Sequence, residues 1–427
     1  MLLALPAAAF AQTSADTIVA PSAMCRGEMI SSVEIYSHPP GSALVSDVWK
    51  DVTHFMGMHR APTNRRVIEA YLRVHAGHRC RELDRSESER LLRAQRFIAA
   101  ATVRAVHVGQ DSVKIVVNTV DDFAPILGGS TSNGSVSSIQ VGTENLNGMG
   151  TTVELSAERG FQFRSGYGGD IVQYGAFGHP YTLAIGGDLH PQGDALRFEF
   201  AKPFLTDQQP NGFHFGAAEV NGFYDLTRPV GQDVFIDVKR AGYDAGFGVR
   251  LGPINTRGTV IVLGAMVMGE AVNTAAHGVF MTDTALVPAP SLPEIDNRYG
   301  PMTVLRVGLI AGIRALKFRV VRGFDAITGE QDIGIGTQFG LFAGPSIMSS
   351  PSGGDYFMSG DFYAGMGGPQ SLLEMRLLGE ARADKQDQRW DGVVGFGKFV
   401  WYFKPSLEET RIATVELSEV QHLAFPL

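Results

Sequence analysis

The sequence predicts an N-terminal α+β domain of order β-α-α-β-β, followed by an antiparallel transmembrane β-barrel of about 16 strands. Three observations carry this expectation. Residues 28–124 switch between helical and strand periodicity. From about residue 130 to the end, segments of roughly ten residues alternate apolar with small or polar side chains. No apolar run approaches the ~20 residues of a membrane-spanning helix, the longest being Val260 to Met268, so a chain of this kind enters a bilayer only as a closed barrel. Composition agrees: 51 glycines and 19% charged residues in 427 are rich in turns and lean in charge for a soluble enzyme. A formal net charge of −8, with no basic stripe, argues against nucleic acid as the main partner.

Met1 to Ala11 is an apolar run closing on Ala9-Phe10-Ala11, the small-x-small pattern of a cleaved leader. Residues 1–11 are therefore read as a signal peptide, although the usual basic start is missing. Export without a membrane helix leaves a periplasmic or secreted soluble protein, or an outer-membrane barrel. Ile30 to Tyr36, ended by Pro39, Pro40 and Gly41, reads as the first strand. Thr63 is placed to cap a helix with the apolar face Val67, Ile68, Tyr71 and Leu72, which Gly77 ends. Asp84 with Glu87, and Ser86 with Glu89, have capping-box spacing for a second helix through Leu91, Leu92, Gln95 and Ile98. Strands Thr102 to His107 and Val113 to Asn118 follow, joined by Gly109-Gln110-Asp111. Asp121-Asp122 reads as a solvated link between the domains.

Cys25 and Cys80 both fall in this region, and in an oxidising compartment they can form a disulfide. Their spacing alone leaves two unrelated thiols equally open.

In the second part, Tyr181, Leu183 and Ile185 alternate with Thr182, Ala184 and Gly186. Leu196, Phe198 and Phe200 alternate with Arg197, Glu199 and Ala201, and Phe399, Trp401 and Phe403 with Lys398, Val400 and Tyr402. A soluble sandwich also alternates, but its strands commonly run ~5 to 6 residues. The longer runs here, with aromatics near their ends, fit a lipid-facing wall.

The stretch Thr63-Asn64-Arg65-Arg66-Val67-Ile68-Glu69-Ala70-Tyr71-Leu72 through Gly77, with Glu87 to Arg93 and Phe97-Ile98, closely resembles a POTRA domain. That module precedes the barrel in the Bam/Tam-type bacterial surface-antigen superfamily. Glu144 to Gly150 resembles the superfamily's first barrel hairpin, and Phe200 to Phe204 its recurring strand end. The boundaries implied are 28–124 for the POTRA domain and 130–427 for the barrel. Val321-Arg322-Gly323-Phe324 matches the superfamily's Arg-Gly-aromatic signature, whose loop folds back into the lumen, and the resemblance then pairs Arg322 with a lumen carboxylate. Alternatively, Glu330 to Gly336 resembles a strand well before that loop, and Val415 to Leu427 the strand leading into it. In that case Arg322, Gly323 and Phe324 lie on an ordinary strand, and the barrel lacks its last strands.

The resemblance implies an outer-membrane assembly or polypeptide translocation factor, not an enzyme. Its POTRA domain, in the periplasm, would bind unfolded outer-membrane or secreted polypeptides by β-augmentation and pass them to the barrel. Outer-membrane lipids and periplasmic accessory proteins are the further partners implied. The second reading is a passive porin or solute-transporter barrel with a periplasmic docking domain. No cofactor and no metal is expected: His54, His59, His75 and His78 lack a carboxylate or Cys at ligand spacing. No Gly-x-Ser-x-Gly elbow occurs, and Gly246-Phe247-Gly248 and Gly334-Ile335-Gly336 read as glycines on strands.

Overall fold

The computed structural model describes residues 23–39, 61–122, 125–132, 135–161, 164–190, 193–225, 234–253, 258–282, 285–291, 300–322, 324, 330–350, 353–386, 389–406 and 409–421. The leader, His54, His59, Gly323 and the tail beyond 421 lie outside these residues.

The N-terminal unit runs β1 (Arg26–His38), α1 (Arg65–Tyr71), β2 (Arg79–Arg81), α2 (Glu82–Arg93), β3 (Ile98–His107) and β4 (Ser112–Asp121). Its sheet has the order β2-β1-β4-β3, with β1 parallel to β4 and β4 antiparallel to β3. Period-two alternation sends Val113, Ile115 and Val117 of β4 and Ala101, Val103 and Ala105 of β3 to one face. There they bury Ile68, Tyr71, Leu91, Leu92 and Phe97 from the helices and the segment after α2. The short β2 was not expected.

Several local expectations give way to tertiary contacts. Asn64, not Thr63, caps α1, its side-chain oxygen accepting from the Arg66 N–H at 2.9 Å. The helix stops at Tyr71, and Gly77 instead serves the turn into β2, donating its N–H to the Ile30 carbonyl at 2.8 Å. Neither capping box forms on α2. Its N-cap is Arg81, without a side-chain cap bond, while Asp84 accepts from Arg81 and Glu89 accepts from the Val103 N–H. The helix ends at Arg93, so Gln95 lies in the connection and Ile98 opens β3.

Among the described residues, seventeen strands close a second sheet into a barrel, with neighbours following chain order apart from one local hairpin. The first half comprises β5 (Pro125–Ser132), β6 (Ser135–Thr143), β7 (Thr151–Phe161), β8 (Arg164–Tyr174), β9 (Thr182–His190), β10 (Gly193–Lys202), β11 (Asn211–Asp225), β12 (Val234–Leu251) and β13 (Val260–Thr274). The second half comprises β14 (Val279–Met281), β15 (Leu286–Pro288), β16 (Met302–Arg322), β17 (Glu330–Ser350), β18 (Asp355–Gly367), β19 (Ser371–Asp384), β20 (Trp390–Phe403) and β21 (Arg411–Gln421).

The expected count of about 16 is corrected by the three-residue strands β14 and β15. They pair with each other, and β14 also pairs with the outer extension of β12, over a small core of Val234, Ile236, Val238 and Val272, while β13 pairs directly with β16. The wall among the described residues therefore has fifteen long strands. With an odd number of alternating strands, β21 and β5, which close the ring, point the same way.

Pairing registers assign the two faces. Leu196 and Phe198 share the outer face with Phe215, Tyr243 and Phe247, whereas Arg197 and Glu199 share the lumen face with Gly216 and Asp244. Large apolar side chains stand exposed on the outside all round the ring, among them Leu155, Ile171, Leu196, Phe247, Leu309, Phe339 and Trp401.

The two parts meet through a chain of hydrogen bonds. Asp121, expected at a solvated link, is only 4% exposed and accepts from both the N–H and the hydroxyl of Thr63 at 2.7 Å. The Asn145 side chain, in the β6–β7 turn, donates to the Thr63 hydroxyl at 2.8 Å and accepts from the Gly150 N–H at 2.7 Å. Burial pushes the Asp121 carboxyl up to about 6, although the bonds from Thr63 pull the other way. A folded value above the unfolded one of ~3.9 means that the stabilisation from protonation is complete below about pH 4 and is lost as pH rises through 6. Asp121→Asn is accordingly expected to be about 1–2 kcal/mol more stable than wild type at pH 8 and equal to it at pH 4. Thermal melts of the whole protein at the two pH values check this.

Candidate functional site: the lumen and its covered mouth

The mouth nearest the N-terminal unit is crossed by the β16–β17 hairpin. This hairpin is longer than its neighbours: β17 pairs with β18 only from Gly336 onward, so Lys317–Arg322 and Glu330–Ile335 reach beyond the wall. Gly336 has φ +127°, and a Cβ there would lie 2.0 Å from the Ala315 carbonyl oxygen, so only glycine permits the bend. The hairpin then passes over the lumen face of β18. The Tyr363 hydroxyl donates to the Gly334 carbonyl at 2.8 Å, and a Cβ on Gly365 would meet that carbonyl oxygen at 2.0 Å. Beyond β18, Phe324 stacks on Tyr402 with ring centroids 5.1 Å apart and planes at 23°. Val321 and Ile333 join Leu372 and Val400 in the same buried cluster. Burying a side chain such as Phe324 stabilises this fold-over by roughly 1.5–3 kcal/mol.

The opposite face of the hairpin meets α2. Arg93 donates from Nε and Nη2 to the two carboxylate oxygens of Asp332, at 3.0 and 3.1 Å, with both side chains buried. Burial lowers the Arg93 pKa, but its bonds to Asp332 and Glu89 more than offset this and raise it overall. The Arg90 guanidinium lies 4.2 Å from the centre of the Phe318 ring and donates to the Leu205 carbonyl at 2.6 Å. Leu205 belongs to the β10–β11 turn, which α2 also holds through a 3.0 Å bond from Gln208 to Asp84. The same turn is tied to the wall by Arg314, which donates to Asp207 at 2.8 Å and to the Phe204 carbonyl at 2.9 Å. One helix of the N-terminal unit thus clasps two hairpins of the ring.

Inside, the wall from β7 to β12 is acidic and carries few bulky side chains. Glu154, Asp170, Asp188, Glu199 and Asp244 face the lumen, with Arg197 on Asp188 at 2.8 Å and His214 on Asp244 at 2.6 Å. A cavity of about 460 Å³ is lined by several of these residues. Toward the far mouth, Glu270 of β13 accepts from Arg240 at 2.7 Å and Arg306 at 3.1 Å, and lies 3.3 Å from Arg382 of β19. Arg306 is completely buried and also holds Asp355, with its guanidinium 4.9 Å from the Phe357 ring. This knot ties β12, β13, β16, β18 and β19 together across the lumen.

Of the residues singled out in the sequence, Phe324 sits in the fold-over. Arg322 ends β16, its side chain outside what the structure describes, as is Gly323. The end of β16 at Arg322 lies on the side of the N-terminal unit. Cys25 and Cys80 are joined within the N-terminal core, with Cα atoms 5.1 Å apart. His75 and His78 make an edge-on ring contact, and no group of three metal-ligating side chains occurs among the described residues. Sequence reasoning missed Arg93, Asp332, Tyr402, Glu270 and Arg306. Asp332 carried one faint signal, a carboxylate beside the alternating run Ile333-Gly334-Ile335-Gly336.

Fold and mouth together define a closed antiparallel barrel with one opening covered by an α/β unit of its own chain. No protein-family model and no curated protein matches the sequence. Among solved structures, the chain is similar to BamA from Haemophilus ducreyi lacking POTRA domains 1–3, at 8% identity and a TM-score of 0.39, covering 92% of this chain and 72% of that one. It is similar also to CdiB from Acinetobacter baumannii (7%, 0.34, covering 89% and 68%) and CdiB from Escherichia coli (9%, 0.34, covering 97% and 91%).

Replacing Arg306 by Ala leaves Glu270 and Asp355 facing each other with less compensation, and removing one partner of a buried pair costs about 3–5 kcal/mol. The variant is expected to lose its folded electrophoretic form at a clearly lower temperature than wild type. An unchanged transition would show that the knot carries no stabilising load.

Proposed function

We propose that this protein is a barrel of the bacterial outer membrane that handles polypeptides, in the manner of the assembly and secretion factors its sequence resembles, and that it catalyses no reaction. The observation that carries this reading is the sorting of side chains by the ring. Apolar residues stand exposed on the outer face all round, while ionised groups are gathered on the inner one. In water such an outer face is a severe liability, and in lipid it is the required solution. Among the described residues, no helix is long and apolar enough to cross a membrane, so the crossing falls to the strands.

The N-terminal unit is read as a POTRA-type domain in the periplasm, and its sheet suggests where an unfolded chain would attach. The outer edge of β3 is already occupied: the Val103 N–H donates to Glu89, its carbonyl accepts from Arg85, and the Ala105 carbonyl accepts from the Ala23 N–H. The outer edge of β1 pairs with β2 only at Arg26 and Met29, so from Ser32 to His38 no strand lies against it among the described residues. An added strand binds mainly through its backbone and tolerates many sequences, which suits unfolded outer-membrane or secreted clients. Outer-membrane lipids and periplasmic accessory proteins complete the proposed partners. A passive porin needs an open aqueous path, and the covered mouth disfavours it.

Two measurements test the reading. A lipid-embedded barrel is expected to migrate differently on gels when boiled and unboiled, and identical migration would remove the membrane assignment. A photo-crosslinking residue at Tyr36 should capture an unfolded outer-membrane polypeptide, whereas the same probe at Arg104 on β3 should not. Equal capture at both positions would overturn the proposed edge.

A further inference from the structure

We propose that the turn between β8 and β9 is a membrane anchor, in which Phe177 sets its ring among the headgroups of the leaflet nearest the N-terminal unit and holds this edge of the barrel at the interface. The proposal rests on the barrel reading and adds to it a particular lipid contact. It starts from a backbone conformation. Phe177 has φ +59°, in the left-handed region that suits glycine and is a genuine outlier for a bulky side chain. Its ring is 76% exposed, more than any other large apolar side chain among the described residues. The turn around it is held from several sides. The Ala176 N–H donates to the Tyr181 carbonyl at 3.1 Å, the Gly178 N–H to the Gly175 carbonyl at 3.2 Å and the His179 N–H to the Ala176 carbonyl at 3.1 Å. Ala176 is buried, and Gly175 lies against α1, where a Cβ would stand 3.5 Å from the Cβ of Ala70. With its neighbours pinned inward, Phe177 is carried outward, and its ring meets that of Phe200 edge-on at 6.2 Å.

Phe200 belongs to the outer face, and the side chains of that face are graded toward the near edge. On β10, Leu196 and Phe198 are followed by Phe200 and then, with the same parity, by Lys202. On β9, read in the opposite direction, Ile185 and Leu183 give way to Tyr181 and then to the exposed His179, whose ring lies 5.2 Å from that of Tyr181. Asn211, which accepts from the Lys202 ammonium at 2.6 Å, precedes Phe213 on β11. Tyr181, Phe200 and Phe213 touch one another, with ring centroids 5.2, 5.6 and 5.9 Å apart. Aliphatic, aromatic and then charged or amide side chains follow the order of a bilayer's hydrocarbon, its interface and its phosphates. Phe177 rests on the aromatic tier, so the surroundings that fit its free faces are the headgroup boundary of the lipid. Glycine at this position would relax the backbone but remove the ring, and the chain keeps the ring.

The test uses the full-length protein in vesicles of phosphatidylethanolamine and phosphatidylglycerol, with Phe177→Cys, Leu155→Cys or Val108→Cys labelled by a thiol-reactive bimane. The native cysteines are bridged and do not compete. Leu155 stands on the outer wall, and Val108 is exposed in the β3–β4 turn of the N-terminal unit. The Phe177 label should be quenched by lipids brominated near the headgroup and be several-fold less open to aqueous iodide than the Val108 label. The Leu155 label should answer to bromines deep in the acyl chain. Phe177→Asn, which the left-handed backbone accepts, should lower the ratio of folded to unfolded protein in urea-treated vesicles roughly tenfold, the scale of returning one Phe side chain to water, and Phe177→Trp should restore it. A Phe177 label that iodide reaches as readily as the Val108 label would overturn the lipid contact and leave the ring to a protein partner. An unchanged ratio in Phe177→Asn would overturn the anchoring. A Leu155 label equally open to iodide would instead count against the barrel reading itself.

Discussion

The whole molecule turns on the need of every backbone N–H and C=O in the wall to find a partner within the ring. In lipid an unpaired peptide group costs several kcal/mol and no water is at hand to relieve it, so a sheet survives there only by closing on itself. Closure then dictates the side chains. Each strand has one face outward and one toward the enclosed space, and the sequence from β5 to β21 alternates accordingly. The enclosed face is free to be ionised because its charges are paired across neighbouring strands, as Arg197 is with Asp188 and Arg306 with Glu270 and Asp355. The N-terminal unit obeys a different rule. It buries one face of a small sheet under two helices, and its stability comes from an ordinary apolar core.

How much of this could be read from the sequence follows from those two rules. The alternation Leu196-Arg197-Phe198-Glu199 is imposed by solvent on each side of a strand, acts residue by residue, and so survives in the sequence. The same holds for Val113, Ile115 and Val117. What the sequence hid depends on partners far along the chain. Thr63 looked like a helix cap, yet Asp121 and Asn145 claim its hydroxyl and leave the capping to Asn64. Asp121 looked solvated because it stands beside a second acid, but β4 carries it inward to Thr63. The capping boxes on α2 failed because Arg81, Arg90 and Gln208 recruit Asp84 and Glu87 first.

The candidate site was the least legible part for the same reason. Arg93 and Asp332 are 239 residues apart, and neither has a neighbour in sequence that announces the other. The tripeptide Arg322-Gly323-Phe324 was visible as a pattern, but a pattern does not say at which end of a strand it lies. That Arg322 ends its strand on the N-terminal side follows from the parity of the strands before it. The strand count depends on which segments join the wall. Val279-Phe280-Met281 and Leu286-Val287-Pro288 have strand-like composition, yet they fold into a cap on β12 and take no place in the wall.

The ion-pair knot also governs the outline of the bore. Along the wall, β13 and β19 are four strand steps apart, an arc of roughly 19 Å at ~4.8 Å per step. Glu270 and Arg382 nevertheless reach each other to within 3.3 Å using only their own lengths. The pair therefore cuts a chord across the bore, with the intervening staves on one side of it and the rest of the lumen on the other. At that level the open section is narrower than the ring of strands that encloses it.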